Sequence, residues 1–121
     1  MATKTITPAT ASFILSEGEG SISRDTVVIV AGQDLLAGTV LGKITASGKY
    51  AAHDPSAITG VESAVAVLYA ACDATAADQK AVIVNKLAEV ANVALTWHGD
   101  ITGPQTTTAL AKLAEREVIV R

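Results

Sequence analysis

Between Thr26 and Tyr69 the chain breaks into short runs of β-branched and aliphatic residues, each closed by glycine, aspartate, serine or proline. The runs are Thr26-Val-Val-Ile-Val30, Thr39-Val-Leu-Gly-Lys-Ile-Thr45, Lys49-Tyr-Ala-Ala52 and Ala64-Val-Ala-Val-Leu-Tyr69. Such runs, punctuated this way, read as strands joined by tight turns. The pattern predicts strands at about 26–31, 39–45, 49–52 and 64–70. Ser47-Gly48 supplies the positive φ that a hairpin needs, because glycine has no Cβ to clash. Asp54-Pro55 separates two of the runs, since proline cannot donate to a strand ladder.

Downstream, Asp73 to Asp78 reads as a polar loop, and Lys80-Ala-Val-Ile-Val-Asn85 as the next strand. From Leu87 to Trp97 the odd positions Leu87, Ala91, Val93, Leu95 and Trp97 are mostly apolar, a period of two that predicts one buried face. Trp97 fits either a core anchor or a subunit interface. Thr102-Gly-Pro-Gln105 carries the marks of a helix start: a capping threonine, a proline in the first turn and a glutamine at the capping-box position. Ala109, Leu110, Leu113 and Ala114 continue it as an apolar stripe at helical spacing. The helix is expected at about 105–115, with a last strand at 117–120. The fold class is mainly β (α+β), with one C-terminal helix.

Residues 1–23 differ in kind. Thr3, Thr5, Thr7, Thr10 and Ser12 are interspersed with small and apolar residues, Pro8 interrupts, and Glu17-Gly-Glu-Gly20 loosens the chain before the first strong strand. The expected division is a flexible arm at 1–23 and a single β-rich domain at 24–121. The arm reads either as a passive terminus or as a segment that adds a strand to a partner's sheet edge. Thr5, Ile6, Thr7, Phe13, Ile14 and Leu15 are its candidate contact residues, because a merely solvating tail has little use for such apolar side chains.

The ordered blocks SRDTVVIVAGQDLLAGTVLGKITASGKYAAHDP and GVESAVAVLYAACDATAADQKAVIV resemble the head decoration proteins of tailed bacteriophages, the lambda protein D type. The resemblance runs from about Leu15 to Arg121. It implies a compact β-clip-like domain, a homotrimer, and a place on the outside of the expanded phage head against the major capsid protein. In that family the N-terminal arm contacts the capsid shell, and residues 1–23 occupy the arm's place without a block that matches residue by residue.

Composition fits a structural role. With 50% hydrophobic but only 3% aromatic residues, the core must be built from Val, Leu, Ile and Ala. Small side chains bury little area each, which favours self-association. A net charge of −3 and a pI near 5.2 argue against direct nucleic-acid binding, which needs a basic face. No apolar run approaches the roughly 20 residues of a membrane span. The N-terminal residues carry no apolar stretch of the signal-peptide kind, and a lone cysteine, Cys72, fits synthesis in a reducing compartment, which the resemblance implies is the host cytoplasm.

The residues of catalysis are not assembled in any recognisable spacing. His53-Asp54 and His98-x-Asp100 each offer two metal ligands without a third, and read as surface turns. Gly38-x-x-x-Gly42-Lys43 is one residue short of a phosphate loop, and Ile44 stands where serine or threonine is needed. No cofactor, metal or catalytic residue is expected, and the protein is read as no enzyme. Two other classes remain open. A lipoyl-type β carrier would use Ala37-Gly-Thr-Val-Leu-Gly-Lys-Ile44, but needs a modifiable lysine on a hairpin tip. A nucleotide hydrolase of the β-clip kind would have to use Ser23-Arg24-Asp25.

Overall fold

The β-branched runs do form strands. In the computed structural model, which describes residues 13–18, 22–99 and 101–121, ten strands and one α-helix are assigned among those residues. They are β1 (Ile14–Glu17), β2 (Arg24–Ile29), β3 (Gln33–Leu35), β4 (Val40–Lys43), β5 (Tyr50–Ala52), β6 (Ala66–Leu68), β7 (Cys72–Ala74), β8 (Gln79–Val84), β9 (Ala88–Val90), α1 (Gly103–Ala114) and β10 (Val118–Val120). The fold is mainly β with one C-terminal helix.

Five strands close into a barrel in the order β2-β5-β4-β6-β8. β2 and β8 pair antiparallel along their whole length, from Arg24↔Val84 to Ile29↔Gln79. β4 and β5 are the expected hairpin, with Gly48 at φ +73 in the turn. The barrel is not a simple meander, because β5 returns beside β2 in parallel through one pair, Ile29↔Tyr50. Backbone and side-chain contacts lace this short seam. Val30 N donates to Tyr50 O (3.0 Å), Ala52 N to the Gln33 side chain (3.3 Å) and Ala31 N to Asp78 (2.8 Å). Lys49 pairs with the same Asp78.

Two hydrophobic clusters share the barrel wall. Ile29, Leu41, Ala66, Leu68, Cys72, Ala74 and Ile83 form one. Val40, Val67 and Val84 join Phe13, Ala88, Val90, Leu113 and Val118 in the other. Neighbours such as Val40 and Leu41, or Ile83 and Val84, serve opposite clusters because successive strand side chains point to opposite faces. A second sheet, β1-β9-β10, covers the second cluster together with α1, which buries Ala109 and Leu113. Its capping box is complete: Gln105 N donates to Thr102 Oγ1 (3.3 Å) and Thr102 N to Gln105 Oε1 (2.9 Å).

Several sequence expectations need correction. The segment read as the loop 73–78 begins as strand, since β7 pairs β3 from Gln33↔Ala74 to Leu35↔Cys72. The predicted buried face of 87–97 is out of phase. Leu87 sits at φ +51, so the buried residues of β9 are Ala88 and Val90, and Val93, in a 3-10 turn, is 98% exposed. One offset residue moves every side chain to the other face. His53, read as a surface turn residue, is 2% exposed. Trp97 is half-buried against the cluster around Phe13, its Nε1 donating to Asn92 Oδ1 (3.2 Å).

Candidate docking surface at the N-terminal strand

The candidate arm residues divide at Phe13. Thr5, Ile6 and Thr7 lie outside the described residues. Phe13 is fully buried, and its carbonyl accepts from Ala91 N (2.7 Å). Ile14 opens β1 half-buried, opposite Val90. Leu15 is 57% exposed at a break in the β1–β9 register, between Ile14↔Val90 and Ser16↔Glu89. A bulge at that place turns a side chain out of the ladder and is a common device on edge strands. The structure thus puts residues 13–17, which the sequence assigned to the arm, in the folded body. The arm's candidate length shortens to the residues before Phe13.

Three contacts fasten this strand. Ser23 is fully buried, accepts from Gly18 N (2.7 Å) and donates to Leu87 O (2.8 Å), joining the ends of β1, β2 and β9. Glu17 pairs with Arg24, whose guanidinium lies 4.4 Å from the centre of the Tyr69 ring. Its hydrogen bond to Glu17 raises the Arg24 pKa further, so the guanidinium stays charged. Across the sheet, Glu89 on β9 accepts from Ser16 on β1 (2.9 Å) and from Arg121 just past β10. Arg121 first, then Ser16, hold the Glu89 carboxyl below the usual carboxylate range.

The outer side of β1 is a sheet edge that pairs with nothing among the described strands. Leu15, Ile22 and Leu87, each 45% exposed or more, lie on or beside this corner of the molecule, since Ile22 and Leu87 both border Gly18. An open edge flanked by apolar side chains can take up another chain's strand through backbone hydrogen bonds. Sequence reasoning considered Ser23 and Arg24 only within the hydrolase triplet Ser23-Arg24-Asp25 and missed their part, and that of Glu89, in fastening β1.

The other candidates are placed differently. Lys43 lies on β4 with its Nζ 6.0 Å from the Tyr50 ring centre, and Lys49 is paired to Asp78, so neither is a free hairpin-tip lysine. Lys86 sits between β8 and β9. Gly42 of the incomplete phosphate loop is mid-strand. Asp25 of Ser23-Arg24-Asp25 accepts from its neighbour Thr26 N (3.0 Å), while Ser23 and Arg24 serve the contacts above. His98 Nε2 stands 3.7 Å from Asp54, so the two histidine motifs meet, although Asp100 lies outside the described residues. Among the described residues no group of three or more His, Cys, Asp or Glu is placed to hold a metal. Burial, with Asp73 and Asp34 nearby, pushes the Cys72 thiol pKa up, which leaves it unreactive.

A family model described as bacteriophage lambda head decoration protein D matches residues 3–118. No curated protein matches the chain.

Proposed function

The chain belongs to the bacteriophage lambda head decoration protein D family, and from that premise we propose that it binds as a homotrimer to the expanded phage head and stabilises it against the pressure of packaged DNA. Its role is phage capsid decoration, on the outer surface of the head, and the family is a structural one, not a class of enzymes. The partner we assign is the major capsid protein. Residues 1–12, with Thr5, Ile6 and Thr7, form the capsid-binding arm in this reading.

The family match carries the reading, and the root at Phe13 supports it. An arm that starts from a residue fixed in the core transmits load to the body, whereas one tethered through loose chain would only add avidity. A protein that binds the expanded lattice and not its broken state stabilises the lattice by mass action, with no chemistry. Trimerisation multiplies weak contacts on a repeating surface.

Titrating undecorated, DNA-filled heads with the protein and heating them tests this. The temperature of DNA release is expected to rise with occupancy and to level off at saturation. Heads that bind the protein fully yet release DNA at an unchanged temperature would refute stabilisation, and heads that bind none would refute the assignment of partner.

A further inference from the structure

We propose that His53 is an acid-responsive clasp: deprotonated, its imidazole fastens the 54–63 excursion to the barrel, and protonation releases that excursion. This goes beyond capsid decoration and does not rest on it. His53 follows β5 directly, and its backbone N donates to Val40 O (2.8 Å). Its side chain reaches across to the excursion, with Nε2 3.1 Å from the Glu62 carbonyl oxygen. A carbonyl only accepts, so Nε2 carries the proton and Nδ1 is a bare acceptor. Nδ1 is buried and finds no partner among the described residues.

Apart from His53, the excursion is held by the buried Val61 and by a few backbone hydrogen bonds. Asp54 N donates to Val61 O (3.1 Å) and Thr45 N to Thr59 O (2.9 Å), while Ile58 at its tip is 96% exposed. On its other side a cavity of about 220 Å³, lined by His53, Glu62, Ser63, Thr108 and Lys112, separates it from α1. Moving the segment gives up the burial of Val61, 6% exposed against Gly42, so the open state is a minor one that protonation makes more populated.

Among the described residues no acceptor stands within hydrogen-bond distance of Nδ1 to take an added proton. Asp54 already accepts from Ser56 N (3.0 Å) and Oγ (2.8 Å) and stands near His98. The Glu62 carboxylate accepts from Gly60 N (2.8 Å). Lys112 on α1 is a cation on the shared cavity, and Asp34 and His98 line the cavity on the other side of the ring. A proton on Nδ1 would therefore make a buried cation with an unpartnered donor, the costly case for a polar group in the interior. Burial first, then the charge of His98, hold the His53 pKa below its ordinary value, against the Glu62 carbonyl and Asp54, which act the other way.

The direction follows. A histidine whose folded pKa is depressed stabilises the fold fully above its unfolded pKa of about 6.5, and that contribution drains away as pH falls through 6.5 toward the folded value. Because one proton is taken up, the opening equilibrium shifts by at most about tenfold per pH unit in that window.

Nuclear magnetic resonance of the full chain between pH 7.5 and 5.5 tests the clasp. The His53 ring is expected to titrate below the ordinary histidine midpoint. Amide exchange at Asp54 and Thr45, corrected for intrinsic rate, is expected to rise up to about tenfold per pH unit as pH falls, while the β2 and β8 amides stay flat. His53→Gln should abolish the response and His98→Gln should keep it. A ring titrating at the ordinary midpoint or above, exchange indifferent to pH, or a response lost in His98→Gln would overturn the proposal. Should His53→Gln fail to fold, the wild-type ring titration and exchange profile decide alone.

Discussion

Replacing Phe13 with alanine is expected to cost about 3–5 kcal/mol of folding stability, the usual loss for a buried phenylalanine. It is the only phenylalanine in the chain and is fully buried among Val40, Val90, Leu113 and Val118. The other buried residues of its cluster are valine, leucine and alanine, each smaller than the side chain removed. The cavity also opens under the Gly38 turn, where a Cβ built on Gly38 would stand 3.7 Å from Phe13 Cδ1. Urea unfolding should show a lower midpoint with an unchanged slope, because the native and denatured surfaces are otherwise the same. Of a total stability of about 5–15 kcal/mol for a domain this size, that is a large share. A neutral substitution would mean that the body begins after Phe13 and the arm includes it.

The second large effect is expected at Gly42, in the middle of the barrel. β4 lies between β5 and β6, and Gly42 faces Ala51 across the hairpin. A Cβ built on it would come 2.4 Å from Val61 Cα and 2.7 Å from Val61 O. Those are backbone atoms, so no side chain can swing aside. Gly42→Ala must displace the strand or the 60–63 turn, which also carries Gly60 at φ +115. The expected loss is about 1–3 kcal/mol or more, as for other overpacked sites. Gly103→Ala is the internal control. Nothing lies within 4 Å of its would-be Cβ, and it opens α1, where alanine is the better helix former. Thermal or urea unfolding should find Gly103→Ala neutral or slightly stabilising and Gly42→Ala clearly destabilised. Equal effects would show that the close approach of Val61 is not what requires glycine at position 42.

What the sequence made legible was whatever rests on neighbours in the chain. The capping box between Thr102 and Gln105 is a local exchange of hydrogen bonds three residues apart, and the structure has it. The turn at Gly48 needs a residue that tolerates positive φ, and its place was visible. Strand pairs made over long separations were not. β3 and β7 are three residues each, with Asp34 and Asp73 opposite one another in the middle, and neither run has the composition of a strand by itself. β1 hid in what reads as a tail because its pairing partner, β9, is some seventy residues away. The phase of β9 was lost to a backbone feature, the positive φ at Leu87, that no apolar pattern encodes.

The candidate site was legible in outline only. Composition suggested an arm over residues 1–23 with Phe13, Ile14 and Leu15 among its contacts, but periodicity could not show that Phe13 turns inward while Leu15 points outward at a break in register. Nor could it show that Ser23, polar and beside a charged pair, is wholly buried where three strands meet. His53 was misread for the same reason. Asp54 and Pro55 beside it have the chemistry of a turn, and the backbone does turn there, but with the imidazole inside.

The most direct test of the division between arm and body is co-sedimentation with expanded, undecorated phage heads, comparing the full chain with one that begins at Ala11. The shortened chain keeps Phe13 and every contact that fastens β1, so its urea midpoint should match that of the full chain. The account predicts that the full chain saturates the heads and that the shortened chain, equally stable, binds poorly. Equal binding by the two would contradict it and move the capsid contact onto the folded body.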